Sequence, residues 1–271
     1  MKDRIESIDL LRGLAMAIMA LDHVRDYFHL TANTDDPLNL NTTTMALFFT
    51  RWITHFCAPV FVFLSGTSIY LQSLRKTKKE LSLFLIKRGL WLIFLEVVVV
   101  SFGWSFNPAY HGIFLQVIWA IGISMVVLGL LINLPFNAIL AIGALIVLGH
   151  NGLDYLESAE GFQVGFFWNL FHHGFFTPYF LDGDHYVLII YAFVPWTGLM
   201  MLGYCFGKYF SSFPEPSIRR KKIFGMGILL IGLFVLLRGI NQYGDPHAWA
   251  YQSDGIKSFL SFINVNKYPP S

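Results

Sequence analysis

Seven stretches of this chain are apolar over lengths that cross a lipid bilayer. They lie near 8–30, 52–73, 84–104, 113–132, 136–150, 186–207 and 222–240. A helix needs about 20 apolar residues to cross the hydrocarbon core, and inside it every backbone N–H and C=O must be satisfied within the segment. The pattern predicts an all-α fold, a polytopic transmembrane helical bundle of about seven spans. Charged residues make up only 13% of the chain, about half the share in a soluble domain. No soluble second domain, low-complexity stretch or internal repeat interrupts the pattern, so 1–271 reads as a single transmembrane domain. The first span has no cleavable-leader form and is expected to stay in the mature protein. Cys57 and Cys205 both fall in apolar segments and point to neither a disulfide framework nor a metal site.

Charge distribution gives the orientation. Connection 74–88 holds Arg75, Lys76, Lys78, Lys79, Lys87 and Arg88, and connection 208–222 holds Lys208, Arg219, Arg220, Lys221 and Lys222. With Lys2, Arg4 and Arg12 these account for fourteen of the nineteen cations. Short cationic loops stay in the cytoplasm, which places the amino terminus there. The alternate segments, 31–50, 151–185 and 241–271, carry Asp35, Asp36, Asp154, Glu157, Glu160, Asp182, Asp184, Asp245 and Asp254. All nine histidines map to outer span ends or outer loops. The expected location is a bacterial cytoplasmic membrane, with the bilayer as partner and no nucleic-acid partner.

The first span carries ionisable groups that anchoring does not require. It opens Ser7-Ile8-Asp9-Leu10-Leu11-Arg12-Gly13 and closes Asp22-His23-Val24-Arg25-Asp26. Such groups in a membrane helix are expensive and usually face a protein interior or an aqueous cavity. Arg12 and His23 are eleven residues apart, three turns plus about 20°, so they share a helix face, with backbones roughly 16 Å apart along the axis. Asp9 with Arg12, and His23 with Asp26, are i,i+3 pairs able to interact locally. A helix-end ion pair plus an interfacial histidine would explain each end separately; the whole stripe points to a functional site.

Arg4-x-x-Ser7-Ile8-Asp9-x-x-Arg12-Gly13, Asp22-His23 and Pro59-Val60-Phe61-Val62-Phe63-Leu64-Ser65-Gly66 together resemble the bacterial-type branch of the heparan-α-glucosaminide N-acetyltransferase catalytic-domain family, within the transmembrane acyltransferases. Arg238-Gly239-Ile240-Asn241-x-Tyr243-Gly244-Asp245-Pro246 and Asn266-Lys267-Tyr268-Pro269-Pro270-Ser271 fit the same pattern. The resemblance covers essentially the whole chain. It implies acyl transfer from cytoplasmic acetyl-CoA, or another acyl-CoA, to an amino sugar or glycan acceptor on the outer face, with no metal and with a homo-oligomer allowed. Arg12, with Arg88 or Lys87, would then hold the CoA phosphates, since fixed cations suit phosphate oxygens, and Asp9, the local partner of Arg12, would complete the CoA-binding set. His23, oriented by Asp26 or Asp22, would be the base or the acyl carrier. His55, Arg51 and Asp245 would contact the acceptor. The histidine proposed as catalytic in the eukaryotic enzyme lines up near Met45, so His23 takes that role here by chemistry alone, with His55 and His29 as rivals. Relatives continue beyond Pro269-Pro270, which predicts further carboxyl-terminal spans in the natural protein.

Other features carry two readings each. Glu96 inside the third span pairs with Arg51, Arg88 or a histidine, or is neutral, and reads as a structural polar contact or a catalytic group. Phe166-Phe167-Trp168 through Phe175-Phe176, with His172-His173, reads as an aromatic belt or an outer lid. Asp182-Gly183-Asp184-His185 reads as a turn before a loose metal set. Pro195 predicts a kink in the sixth span. Gly225, Gly227 and Gly232 predict close helix packing in the seventh. A transporter or flippase, which also sets charges around a cavity, is the competing class, and a non-enzymatic scaffold the third.

Overall fold

The computed structural model describes residues 5–30, 35–174, 178–213, 215–245 and 247–267. Lys2, Arg4, Phe175, Phe176, Pro246 and the terminal Tyr268-Pro269-Pro270-Ser271 lie outside them. The chain is mostly helical. In order it forms α1 (Glu6–Phe28), α2 (Met45–Thr54), α3 (Cys57–Ser73), α4 (Lys78–Leu95), a π turn (Glu96–Val100), α5 (Ser101–Ser105), β1 (Gly112–Leu115), α6 (Val117–Leu131) and α7 (Phe136–Gly149). A 3₁₀ turn (His150–Leu153), α8 (Asp154–Glu157), α9 (Phe166–Trp168), a π turn (Asn169–His173), β2 (Tyr179–Phe180) and β3 (Tyr186–Ile189) follow. The chain continues with α10 (Phe193–Phe206), α11 (Tyr209–Ser212), α12 (Pro216–Ile240) and α13 (Gly255–Ile263).

Three helical stretches among the described residues are long and apolar enough to cross a membrane: Met45–Ser73, Phe136–Glu157 and Pro216–Ile240. That is fewer than the seven expected, and the differences have local causes. α1 has the length, about 34 Å at 1.5 Å per residue, but is charged at both ends. The runs expected at 113–132 and 186–207 each begin as a strand, which leaves α6 with 15 residues and α10 with 14. β1 pairs parallel to β3, Gly112 opposite Tyr186, and β2 pairs antiparallel to β3, Tyr179 opposite Val187. Apolar runs of about four residues do not reveal whether they coil or extend. Here Val187 and Ile189 turn inward against Leu115, so the sheet is buried on that side.

Local signals fix several helix ends. Thr77 and Glu80 form a reciprocal capping box at the start of α4, with the Thr77 N–H donating to Glu80 at 2.8 Å. Pro216 opens α12, and Asn241 closes it in the left-handed region at φ 57. Pro195 is the third residue of α10, where the backbone N–H has no helical partner to lose, so no kink is needed.

The core lies among α3, α4, α6, α7 and α10, around Trp196, Met200, Leu85 and Leu128. Two glycine contacts set its spacing. A Cβ on Gly66 of α3 would sit 2.1 Å from the Met200 carbonyl oxygen, and one on Gly203 of α10 would sit 2.1 Å from that of Phe63. Gly89 of α4 and Gly122 of α6 meet in the same way, each built Cβ falling 2.5–2.8 Å from the other's carbonyl oxygen. Close packing was expected at Gly225, Gly227 and Gly232, but nothing lies within 4 Å of a Cβ built there. α12 stands apart from the core, with Arg238 its only buried residue among those described. Its apolar face is therefore suited to lipid.

Candidate functional site

α1 lines a cavity at each end. At the amino-terminal end a cavity of about 920 Å³ is bordered by Asp9, Arg12, Ser68, Gln72, Arg75 and Arg219. Arg12 donates through Nη2 to the Ser68 hydroxyl at 2.6 Å and to the Leu64 carbonyl at 3.2 Å, and lies 3.9 Å from Asp9. Serine at 68 presents its hydroxyl because α3 packs along α1. Arg88 is exposed on α4 and does not border this cavity.

At the other end a cavity of about 990 Å³ is bordered by Asp22, His23, Arg25, Asp26, Arg51, His55, Trp104, Gln116, Asp245 and Lys267, among others. Its floor is an ion cluster centred on Asp22, which is buried. Arg51, from α2, donates Nη1 to both Asp22 carboxylate oxygens at 2.9 Å, and Thr54 Oγ1 donates at 2.9 Å. Arg25 bridges Asp22 and Asp26 through Nη2, the second contact at 2.8 Å. Buried charges persist only when paired and hydrogen-bonded in this way. The carboxylates beside His23 in sequence thus turn to arginines. His23 itself is half-buried, its ring 5.7 Å from that of Trp104, which also stacks on Tyr27. His55, at the break between α2 and α3, is 9% exposed, and its Nδ1 has no hydrogen-bond partner among the described residues.

The far wall comes from the carboxyl-terminal part of the chain. Arg238, buried at the end of α12, donates to the carbonyls of Ser261, Phe262, Asn264 and His247 at 2.7–3.2 Å and pairs with Asp245 at 3.2 Å. It thereby satisfies the last carbonyls of α13, which have no helical partner. Asp245 accepts the N–H groups of His247 at 2.7 Å and Asn266 at 3.1 Å. Burial pushes the Asp245 carboxyl above its ordinary range, against the opposing pull of the His247 N–H and Arg238. Trp52 Nε1 donates to the Ile263 carbonyl at 2.9 Å. These bonds hold Asn264–Lys267 against the cavity.

Glu96 takes a different partner from those expected. It is fully buried and accepts the backbone N–H of Gln116 at 3.0 Å and of Trp119 at 3.1 Å. A carboxylate at a helix amino terminus satisfies orphan donors and the positive dipole end together, so Glu96 caps α6 rather than pairing with Arg51, Arg88 or a histidine. Ser101, the first residue of α5, accepts the Phe114 N–H at 3.0 Å and ties β1 to the same place.

A second polar cluster lies apart from the cavity. His172 Nε2 meets Asp154 at 2.9 Å, His173 Nδ1 meets Glu157 at 2.6 Å, and Trp168 also donates to Glu157. These contacts fasten the aromatic segment to α8, and none of its described residues borders the outer cavity. Asp182 closes a turn by accepting the N–H groups of Asp184 at 2.9 Å and His185 at 2.7 Å.

Sequence reasoning passed over Arg25, Lys267 and Arg238 as site-forming residues. For Arg25 the signal was present, since it is i,i+3 from Asp22. For Lys267 and Arg238 it lay only in the motifs around them. Residues 4–237 match the family model described as "Heparan-alpha-glucosaminide N-acetyltransferase, catalytic". No curated protein and no solved structure matches the chain.

Proposed function

The chain belongs to the heparan-alpha-glucosaminide N-acetyltransferase catalytic family, and on that premise we propose that it is a multi-pass membrane acyltransferase. It moves an acetyl or other acyl group from acyl-CoA at the cytoplasmic face to an amino sugar or glycan at the outer face. The observation that carries this reading is that one helix, α1, borders two cavities, presenting Asp9 and Arg12 to one and Asp22, His23 and Asp26 to the other. The separation of Arg12 and His23, roughly 16 Å along the helix, suits a donor with an extended arm between its charged and reactive ends.

In this reading the amino-terminal cavity is cytoplasmic, as the cationic connections require. Acyl-CoA is a substrate, and the residues there fit its charged end. Arg12 is fixed by Ser68 and Leu64, and Arg75 and Arg219 border the same space, so phosphate oxygens meet preorganised cations. In the outer cavity an imidazole takes the proton from the acceptor amine or hydroxyl as the new bond to the acyl carbon forms, or accepts the acyl group itself. His23 fills that role, held in orientation by Trp104 rather than by a carboxylate. Asp22 and Asp26 position the arginines beside it, while Arg51, His55 and Asp245 face the acceptor. A specific observation favours His55 as a second candidate base, namely its buried Nδ1 without a partner among the described residues.

The test is CoA release from acetyl-CoA, measured with a panel of amino sugars and glycans on the purified protein and on His23→Ala and His55→Ala. Transfer lost in one variant while acetyl-CoA still binds identifies the imidazole at the chemical step. Absence of acetyl-CoA binding in the wild type refutes the reading. Movement of the acceptor across the membrane without CoA release supports the transporter class instead.

A further inference from the structure

Arg25 is 8% exposed and borders the outer cavity. Its Nη2 serves Asp22 and Asp26, whereas Nε and Nη1 have no hydrogen-bond partner among the described residues. Buried donors are almost always paired, because leaving one unpaired forfeits its hydration without compensation. A buried guanidinium with two unpaired nitrogens, in a residue that borders a cavity, points to an oxygen ligand reached by a shift of that side chain.

The charge around it decides which kind of oxygen. Arg25 and Arg51 are matched by Asp22 and Asp26, so the ion cluster has no surplus positive charge. Over the whole lining, five carboxylates (Asp22, Asp26, Asp35, Asp36 and Asp245) face three cations (Arg25, Arg51 and Lys267), with Arg238 behind Asp245 as a fourth, so carboxylates still outnumber cations. Such a cavity disfavours a permanent anion and favours an amine-bearing acceptor. The free donors of Arg25 suit an oxygen that is neutral at rest and charged only in transit.

We propose that Arg25 binds the carbonyl oxygen of the transferred acyl group and stabilises the oxyanion of the tetrahedral intermediate; this rests on the acyl-transfer reading above. The acceptor amine attacks the thioester carbon, forming the C–N bond, and the carbonyl π pair moves onto oxygen, where Nε and Nη1 donate to it. The imidazole takes the proton from nitrogen. As the intermediate collapses, the C=O bond re-forms, the C–S bond breaks, and the departing thiolate takes the proton back from the imidazolium. Donors fixed in advance at the site of developing charge are among the strongest catalytic devices available to a protein.

The experiment measures CoA thiol release from acetyl-CoA with glucosamine and with glucosamine 6-phosphate, for wild type, Arg25→Lys and Arg25→Gln. Lysine keeps the charge beside Asp22 but not the several fixed donors of guanidinium. The kinetics are read in whichever variant melts close to wild type. The expected result is a fall in kcat on the order of 10²–10³-fold, alike for both acceptors, with KM for acetyl-CoA little changed, the signature of an interaction made only in the transition state. An unchanged kcat overturns the assignment, and so does a rise in KM confined to the phosphorylated sugar, which would mark a resting-anion site. Wild type that neither binds acetyl-CoA nor releases CoA with either acceptor overturns the acyl-transfer reading and this role with it. An active wild type beside a fully active Arg25→Lys overturns the role of Arg25 alone.

Discussion

Replacing Glu96 by leucine tests whether this buried carboxylate is a helix cap. The change preserves volume approximately but removes the acceptor of two backbone N–H groups, those of Gln116 and Trp119, in a site with no access to solvent. Leaving a buried donor unsatisfied costs about 1–3 kcal/mol, so losing both acceptor contacts costs about 2–6 kcal/mol. At roughly 2–4 °C per kcal/mol for a chain of this size, the melting midpoint of the detergent-solubilised protein should fall by roughly 10 °C. Glu96→Gln keeps one acceptor oxygen and should lose about half as much. If Glu96 only caps α6, the glutamine variant retains its kcat. A leucine variant melting within about 2 °C of wild type, a shift worth under roughly 1 kcal/mol, would refute the cap. A glutamine variant that melts normally but loses activity would show that the carboxylate acts in the chemistry.

Other expectations follow from particular contacts. Arg12→Ala removes charged hydrogen bonds to Ser68 and Leu64 and a cation from the inner cavity, so acyl-CoA affinity should drop by roughly 10- to 100-fold in a binding isotherm; unchanged affinity rules out the phosphate assignment. Gly66→Ala and Gly203→Ala each force a methyl group into backbone 2.1 Å away and should abolish a folded yield or lower the midpoint by several degrees, while Gly225→Ala and Gly227→Ala, with nothing within 4 Å, should melt as wild type. Asp245 has its carboxyl pushed above the ordinary value of 3.8 mainly by burial. Its contribution to stability is thus fully present below 3.8 and is lost as pH rises through the raised folded value. Melting curves from pH 3 upward should therefore show a decline in wild type that Asp245→Asn lacks, and parallel curves would refute it.

How much was legible before folding differs from residue to residue. The helical character of the chain and the unusual polarity of α1 follow from composition and spacing, and the stripe from Arg12 to His23 does reach two cavities. The i,i+3 rule named Asp9 with Arg12, which do lie together at 3.9 Å, but for His23 and Asp26 it missed the partner that wins: Asp26 goes to Arg25, and Asp22 reaches Arg51, 29 positions away. Helix geometry gives every local neighbour equal opportunity, and packing then brings a stronger partner. Glu96 shows the same limit, because its partners are backbone N–H groups that no side-chain pattern announces. The glycines show it too: those of α12 and those of α3 and α10 look alike in sequence, and only the position of each helix in the bundle separates them.

By itself the sequence determined that this chain is helical and apolar, that its cations gather in a few connections, and that one helix carries ionisable groups at both ends. Those are properties of periodicity and hydrophobicity, which act over a few turns. The tertiary structure alone decided which runs became strands, which carboxylate each arginine took, and that Arg25, beside a cavity, keeps two donors unpaired among the described residues. Pairing and burial depend on elements far apart in the chain meeting at a few ångströms, and no local rule contains that distance.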